Sequence, residues 1–318
     1  MMQDYLGIDV SKAKLDVVLL IGERSFAKEF ANTPKGMKLL LGWLRSLRAG
    51  EVHACLEATG SYSDGIAEFL YEAGYAVSVV NPFRTHSFRG SRLQRNKTDK
   101  ADARLIAEFC RSESPGLWKP ASPQVKHLQA LSRRIDALEE MRLMEQNRLD
   151  TAPQEAKASI RRMIRVLERE IAVIRKEAED LIGGDPDLKV QDELLRSIPG
   201  IGKKTSMMLL SEVEFDRYES ARALAAYAGT TPAKQDSGNQ KKSKLSRVGA
   251  VRIRKGMYFP AIVAQTCNPI VREFASRLSA RGKRPMQIVC AAMRKLLHIA
   301  YGVLKHRTPF TPNAASYT

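Results

Sequence analysis

The first third of the chain alternates short apolar runs with helical patterns. Residues 5–10, 15–21 and 25–31 are β-rich and joined by short polar segments, which predicts three hairpin-connected strands. Two further buried runs, at 52–56 and 75–80, are separated from each other and from the first three by apolar residues at helical spacing. Because three strands give way to alternating helices and strands, the pattern predicts a mixed sheet with flanking helices.

The pattern becomes continuously helical between residues 123 and 181. Apolar positions step by three and four residues, and the positions between them are rich in Arg and Glu. This predicts two long helices with a coiled-coil seam, broken near residues 151–153 and ended by the Gly-Gly-Asp-Pro sequence at 183–186. Two interpretations stay open. The seam could mediate dimerisation or form a spacer, or the two helices could form an antiparallel hairpin within one chain.

The last third begins near Leu188 and is predicted to be all-α. Residues 195–205 have the form of a helix-hairpin-helix, in which Gly200 and Gly202 would let the backbone approach a phosphate beside Lys203. The same glycines could instead turn a corner between two packed helices. The expected organisation is an α/β domain at 1–118, coiled-coil helices at 119–186 and a helical domain at 187–318.

The charge of the chain is strongly one-sided. The net charge is +17, and residues 231–318 hold 17 Lys and Arg against Asp236 and Glu273, which is +15. A field of this kind favours a phosphate backbone as partner, although a general solubility charge is the simpler alternative. The predicted phosphate-contacting cations of this region are Lys241, Lys242, Lys244, Arg247, Arg252, Arg254 and Lys255.

The four cysteines show no CxxC spacing, and we expect no apolar run to be long enough to span a bilayer. Together these features predict a soluble cytoplasmic chain with no membrane partner. A serine in the basic region, Ser237, precedes a glycine in a predicted polar loop. Alone, this Ser-Gly pair is an ordinary loop signal.

Four carboxylates are placed where a site could form. Asp9 lies in the first strand, Glu57 ends the fourth, and Asp99 and Asp102 face the same way in the first turn of a helix capped by Thr98. In a ribonuclease-H-type order the first and fourth strands are neighbours, so the acids could meet and bind Mg²⁺ for phosphodiester chemistry. Each acid also has an ordinary explanation, as a cap or an ion-pair partner, and Asp16, Asp64 and Glu68 lie nearby.

Six motifs in order resemble the DEDD-type serine transposases of bacterial insertion sequences, the bridge-RNA-guided recombinases. They are Gly7-Ile8-Asp9-Val10-Ser11-Lys12, Leu56-Glu57-Ala58-Thr59-Gly60, Asn81-Pro82, Lys97-Thr98-Asp99-Lys100-Ala101-Asp102-Ala103, Ser197-Ile198-Pro199-Gly200-Ile201-Gly202 and Gly229-x-x-Pro232-x-x-x-x-Ser237-Gly238. The resemblance covers nearly the whole chain. One departure follows Ser237-Gly238, where Asn239-Gln240-Lys241-Lys242 stands in place of the Gly-Lys of many relatives.

The resemblance implies an RNase H/RuvC-like domain with a magnesium site at Asp9, Glu57, Asp99 and Asp102, and Ser237 as the nucleophile of a C-terminal transposase domain. It further implies donor and target DNA, a non-coding bridge RNA, a bacterial nucleoid location, and dimers pairing into tetramers with composite active sites.

Other classes remain open from the residues. A metal-only nuclease of the Holliday-junction resolvase type would use the acids without the serine. A sugar kinase or related ATPase would need a glycine-rich phosphate turn where Ser11-Lys12-Ala13-Lys14 stands. A nucleic-acid-binding scaffold would leave the acids unexplained.

Overall fold

The computed structural model describes residues 3–91, 99–237, 240–245 and 249–312, with backbone alone at residues 61, 91, 99–100, 233–237 and 240–245. The chain divides into two compact units, Met1–Pro120 and Ala121–Thr318. The division into three functional modules stays a prediction, and each unit is described by itself.

The first unit contains a five-stranded mixed sheet. Its strands are β1 Asp4–Val10, β2 Lys14–Ile21, β3 Arg24–Ala31, β4 Val52–Glu57 and β5 Ala76–Val80. Their order is β3-β2-β1-β4-β5. The first three are antiparallel, whereas β4 runs parallel to both β1 and β5. The prediction that the first and fourth strands are neighbours is confirmed.

Helices cover both faces of this sheet. They are α1 Pro34–Ser46, α2 Ser61–Glu72, α3 Pro82–Ser91 and α4 Asp99–Glu113. On one face, Leu6, Ile8 and Leu56 share a core with side chains of α1 and α2. On the other, Val18 and Leu20 pack on α4. The mixed α/β prediction is therefore confirmed.

Helix α3 was not predicted, because Asn81-Pro82 directly follows the predicted strand at 75–80 and also fits the end of a strand. In the structure the Asn81 side chain accepts a hydrogen bond from the backbone N–H of Phe83 over 2.9 Å. Asn before a helix and Pro at its first position form a start signal. That signal was present in the sequence.

The second unit begins with two long helices, α5 Pro123–Thr151 and α6 Gln154–Gly184, joined by two residues. Leu128, Ile135 and Leu138 of α5 share one core with side chains of α6, namely Leu167, Ile171, Ile174, Ala178 and Ile182. Glu139 of α5 and Arg175 of α6 also form an ion pair. Of the two open interpretations, the structure shows the hairpin within one chain, while a role in dimerisation stays a prediction.

The remainder is mostly helical, but it is not all-α. Its elements are α7 Pro186–Arg196, α8 Lys203–Glu212, a 3₁₀ turn Phe215–Arg217, α9 Ala221–Tyr227, β6 Pro232–Ser237, β7 Gln240–Leu245, α10 Val251–Gly256, α11 Tyr258–Cys267, α12 Pro269–Ala280 and α13 Pro285–His306. The all-α prediction is wrong because β6 and β7 pair as an antiparallel hairpin. These strands are polar and carry no apolar alternation, so only the Gly238-Asn239 dipeptide between them signalled a hairpin.

Helix α13 is long and apolar enough to cross a membrane by length and composition, which the sequence analysis did not anticipate. Its apolar residues are instead core residues: Leu296, Leu297, Ile299 and Val303 are fully buried within the second unit. Most residues of the apolar stretch of this helix are buried in the same way. The helix is therefore explained as the centre of the second unit's core.

Candidate functional site

Asp9 and Glu57 lie on the same face of neighbouring strands. The parallel register of β1 and β4 pairs Ile8 with Leu56, so the next residue of each strand is one of the two acids. Because side chains alternate along a strand, Ile8 and Leu56 enter the core beneath α1 and α2 while both acids face the side covered by α4. Both side chains are half-buried.

Gly7 allows α4 to pack directly on β1. A Cβ atom at this position would lie 2.1 Å from the carbonyl oxygen of Ala103 and 2.4 Å from the backbone nitrogen of Ala107. Because only glycine leaves that space empty, α4 can pack at Ala103 and Ala107 against the strand that carries Asp9. Asp102 directly precedes Ala103 and is half-buried.

Two further residues, Asp99 and Thr98, are predicted to lie at the beginning of α4. Asp99 is the first residue of α4, and its backbone alone is described. Its predicted cap, Thr98, lies outside the described residues. That Asp99 and Asp102 lie in a helix agrees with the prediction from the sequence, and the cap at Thr98 stays a prediction.

Helix α3 contributes two residues that the sequence analysis missed. The Thr85 hydroxyl lies 2.5 Å from Oε1 of Glu57 and donates to it. Arg89, four residues later on the same helix face, donates from Nη2 to Oδ1 of Asp102 over 2.6 Å. Since α3 itself was not predicted, this four-residue spacing could not be recognised as a shared face.

The donor chemistry of the four predicted acids fits Mg²⁺, which prefers carboxylate oxygens. Among the side chains that the structure describes, no three His, Cys, Asp or Glu residues form a group that could hold a metal ion. The side chain of Asp99 is not among those described, and Arg89 pairs with one oxygen of Asp102. The described geometry is therefore that of a carboxylate site neutralised by an arginine.

Ser237 is the last residue of β6 and pairs with Gln240 across the hairpin, instead of lying in the predicted polar loop. Its side chain is not among those described. The base of the hairpin is held close to α9: the N–H of Ala250 donates to the carbonyl of Tyr227 over 2.7 Å. Gly249, with φ +122°, approaches the same carbonyl so closely that a Cβ atom would lie 2.4 Å from it.

The cations near Ser237 differ in what the structure describes. Lys241, Lys242 and Lys244 belong to β7, and their backbone alone is described. Arg247 lies outside the described residues. On α10, Lys255 is exposed and Arg254 is half-buried.

Arg252 is held by an internal ion-pair network. It donates from Nε to Oδ2 of Asp136 over 2.8 Å, from Nη2 to the hydroxyl of Ser132 over 2.8 Å, and from Nη1 to Glu212. Its side chain is 22% exposed. Because its guanidinium is satisfied within the protein, Arg252 would have to exchange these contacts for a DNA phosphate, and that contact stays a prediction.

The predicted helix-hairpin-helix turn lies between α7 and α8. Gly200, with φ +101°, faces α11, and a Cβ atom there would lie 2.8 Å from the Cβ of Ala264. Close helix packing therefore explains this glycine, as the corner interpretation supposed. Gly202 is open, and Lys203 forms an exposed ion pair with Glu179 at 3.0 Å. A phosphate contact at this turn stays a prediction.

Comparison with known proteins gives two family matches. Residues 6–156 match a family of transposases of the DEDD IS110 type, and residues 192–276 match the family described as transposase IS116/IS110/IS902. A solved structure of T. thermophilus RuvC in complex with a Holliday junction substrate has 15% identity and covers 37% of this chain and 100% of its own. Its TM-score of 0.28 is too low to support any argument.

Two relatives match along their full length. The pilin gene-inverting proteins of Moraxella bovis and Moraxella lacunata are each 32% identical over 316 residues, which is 98% of this chain and 98% of theirs. An uncharacterized 43.6 kDa protein of insertion element IS110 from Streptomyces coelicolor is 28% identical over 36% of this chain and 29% of its own. With both units matched and a relative aligned from end to end, the chain belongs to the IS110/IS116/IS902 family of transposases and is a DNA transposase or recombinase.

Proposed function

We propose that this transposase cuts and rejoins DNA strands through a covalent serine–DNA intermediate formed by Ser237. Asp9, Glu57, Asp99 and Asp102 are the proposed Mg²⁺ ligands of an RNase H/RuvC-like domain. The observation that carries the acid site is the shared sheet face of Asp9 and Glu57, onto which Gly7 admits the helix of Asp102. The strand order β3-β2-β1-β4-β5 supports the RNase H-like assignment.

In the proposed reaction the oxygen of Ser237 loses its proton and attacks a phosphorus atom of the DNA backbone. A phosphoserine ester forms, and the bond from phosphorus to the leaving strand-end oxygen breaks, so that oxygen takes up a proton. Attack on the ester by the hydroxyl of another strand end reverses these steps and regenerates the serine. Bound Mg²⁺ would supply positive charge to the phosphate. Lys241, Lys242, Lys244 and Arg247 are proposed to bind the DNA backbone.

The partners and assembly are part of the same proposal. Inversion of a DNA segment, which the names of the Moraxella relatives describe, is one outcome of such strand exchange. The family resemblance supports guidance by a non-coding bridge RNA, assembly of dimers into tetramers, and action at the bacterial nucleoid. It also supports a metal-binding module, coiled-coil helices and a serine module as functional divisions.

The serine is tested with a suicide DNA substrate whose cleaved end cannot be rejoined. The protein is expressed together with the DNA that flanks its element. The RNA that copurifies with it is recovered and included in the assay. The wild type and Ser243→Ala, a serine of the same hairpin, should form a denaturant-resistant protein–DNA adduct, whereas Ser237→Ala should form none. An adduct in Ser237→Ala, or cleavage without any adduct in the wild type, would overturn the serine mechanism; the second result would favour a metal-only nuclease.

A further inference from the structure

A cavity of about 570 Å³ lies in the second unit between α12, α13 and the beginning of β6. This volume is within the range of pockets that hold small ligands. Its apolar wall is formed by Phe274, Leu278 and Met286, and its polar lining includes Thr230 and Gln287. An apolar wall of this kind suits a flat organic ring better than an inorganic ion.

The charge around this cavity is of one sign. Lys283, Arg294 and Lys295 line it, and none of the lining side chains that the structure describes is acidic. The pKa of Lys295 is lowered by burial and then by the charge of Arg277. A site with positive charge at its edge and no acid in its lining is complementary to a ligand that is apolar and anionic at once.

One polar atom in the cavity lining has no partner. The Nε2 atom of His298 is buried and makes no hydrogen bond within the part of the chain that the structure describes. Burial, followed by the charges of Arg294, Lys295 and Arg222, lowers the pKa of His298 to about 4. The imidazole is thus neutral at pH 7, and a buried nitrogen without a partner is costly unless a ligand satisfies it.

We propose that this cavity binds one unpaired nucleotide of single-stranded DNA. The base lies against Phe274 and Met286, the phosphate lies at Arg294 and Lys295, and His298 forms a hydrogen bond with the nucleotide. Stacking on an aromatic ring and neutralisation of a phosphate are the two interactions by which proteins bind single strands. A nucleotide combines both chemistries, whereas free phosphate would leave the apolar wall without a partner.

The position of the cavity connects it to the proposed chemistry. Pro232 lines the cavity and begins β6, and Ser237 ends that strand, about 17 Å away at the usual rise per residue. The bound nucleotide therefore belongs to the DNA strand near the phosphate that Ser237 attacks. This last step rests on the proposed function, whereas nucleotide binding itself does not.

Binding is tested on the full chain with a single-stranded DNA octamer that carries one 2-aminopurine. Phe274→Leu keeps apolar volume but removes the stacking surface and should weaken binding about tenfold, within the value of one stacked base. Ala291→Met fills the cavity and should also weaken binding, whereas Ala280→Met, on the exposed surface of α12, should not. Unchanged affinity in both cavity variants would overturn the proposal, and tighter binding of the matching RNA octamer would overturn its assignment to DNA.

A second measurement follows the imidazole directly. The NMR signal of His298, assigned with His298→Gln, is titrated with dAMP, deoxyadenosine and inorganic phosphate. The dAMP should shift it and raise its pKa, because an anion then lies beside the ring, and phosphate alone should do much less. An equal effect of phosphate, or no effect of dAMP, would overturn the proposal. Both assays are repeated with Ser237→Ala, which should bind normally, so failure of the serine mechanism is distinguishable.

Discussion

Arg89 donates a hydrogen bond from Nη2 to Oδ1 of Asp102 over 2.6 Å and thereby joins α3 to the first turn of α4. The two side chains are 21% and 17% exposed, so the ion pair is largely shielded from water. One turn earlier on α3, Thr85 donates to Glu57. A single helix therefore supplies hydrogen-bond donors to two of the four proposed metal ligands. Arg89 places a positive charge beside Asp102, where a bound metal ion would place a second one.

Replacing Arg89 should make the stability of the chain more dependent on Mg²⁺. In Arg89→Gln, Asp102 loses its cationic partner, which should cost about 1–3 kcal/mol of unfolding free energy in EDTA. Mg²⁺ should restore part of this loss, so the melting temperature should rise more on adding Mg²⁺ than in the wild type. Scanning calorimetry in EDTA and in Mg²⁺ measures both effects.

The matched control for this experiment is Arg84→Gln, on the same helix. Arg84 lies over the ring of Phe109, 5.2 Å from its centroid, and no contact with a proposed metal ligand is described for it. Its response to Mg²⁺ should equal that of the wild type. The prediction fails if Arg89→Gln and Arg84→Gln respond to Mg²⁺ equally.

Gly7→Ala should displace α4 and destabilise the chain. The added Cβ atom would meet the backbone of Ala103 and Ala107 well inside contact distance, and overpacking of this kind costs about 1–3 kcal/mol. Gly42→Ala is the control, because it lies within α1 with nothing within 4 Å, and it should stabilise by up to about 1 kcal/mol. Urea unfolding of both variants checks the difference in sign; a neutral Gly7→Ala would contradict the close packing.

Replacing two cations of α10 should change two different properties, stability for Arg252 and DNA binding for Lys255. Arg252→Gln removes a guanidinium partner from Asp136 and from Glu212. The Glu212 side chain is only 11% exposed but keeps Arg133 as a partner, so we expect a loss of about 1–3 kcal/mol. The exposed Lys255 should affect binding instead: Lys255→Gln should keep stability and reduce the slope of log affinity for DNA against log salt by about 1. Urea unfolding and salt titrations separate the two, and a stable Arg252→Gln with reduced salt slope would reverse the assignment.

Much of the first unit could be predicted because its strands are short apolar, β-rich runs separated by polar or helical segments. The apolar run around Asp9, the strand end at Glu57 and the ribonuclease-H-type strand order were enough to place both acids at neighbouring strands. Helix α3 was missed because its start signal, Asn81-Pro82, also fits the end of a strand. Thr85 and Arg89 were missed with it, since their common face exists only once the helix is known.

Long-range pairing limited prediction in the second unit. Arg252 looked like a free cation of a basic helix, but its partners Ser132 and Asp136 lie 120 and 116 residues away in the sequence. No local pattern connects such positions. The β6–β7 hairpin was missed for a different reason, because its pairing is between backbones of polar residues and leaves no hydrophobic period.

The stability of the chain should depend on the protonation of His298 in mildly acidic solution. Its pKa is lowered from the usual 6.5 to about 4, first by burial and then by Arg294, Lys295 and Arg222. Between pH 6.5 and 4 the unfolded chain therefore binds a proton that the folded chain excludes, so this contribution is complete above pH 6.5 and is lost as the pH falls.

In His298→Gln this component of the pH dependence is absent. The unfolding free energy of the variant should therefore fall less between pH 7 and pH 4.5 than that of the wild type, as measured by urea unfolding at both values. His306→Gln, an exposed histidine at the end of the same helix, should keep the wild-type slope. If His298→Gln and the wild type lose stability equally over this interval, the folded chain accepts the proton at His298, and the imidazole does not lie in the positive, water-poor environment inferred for the cavity.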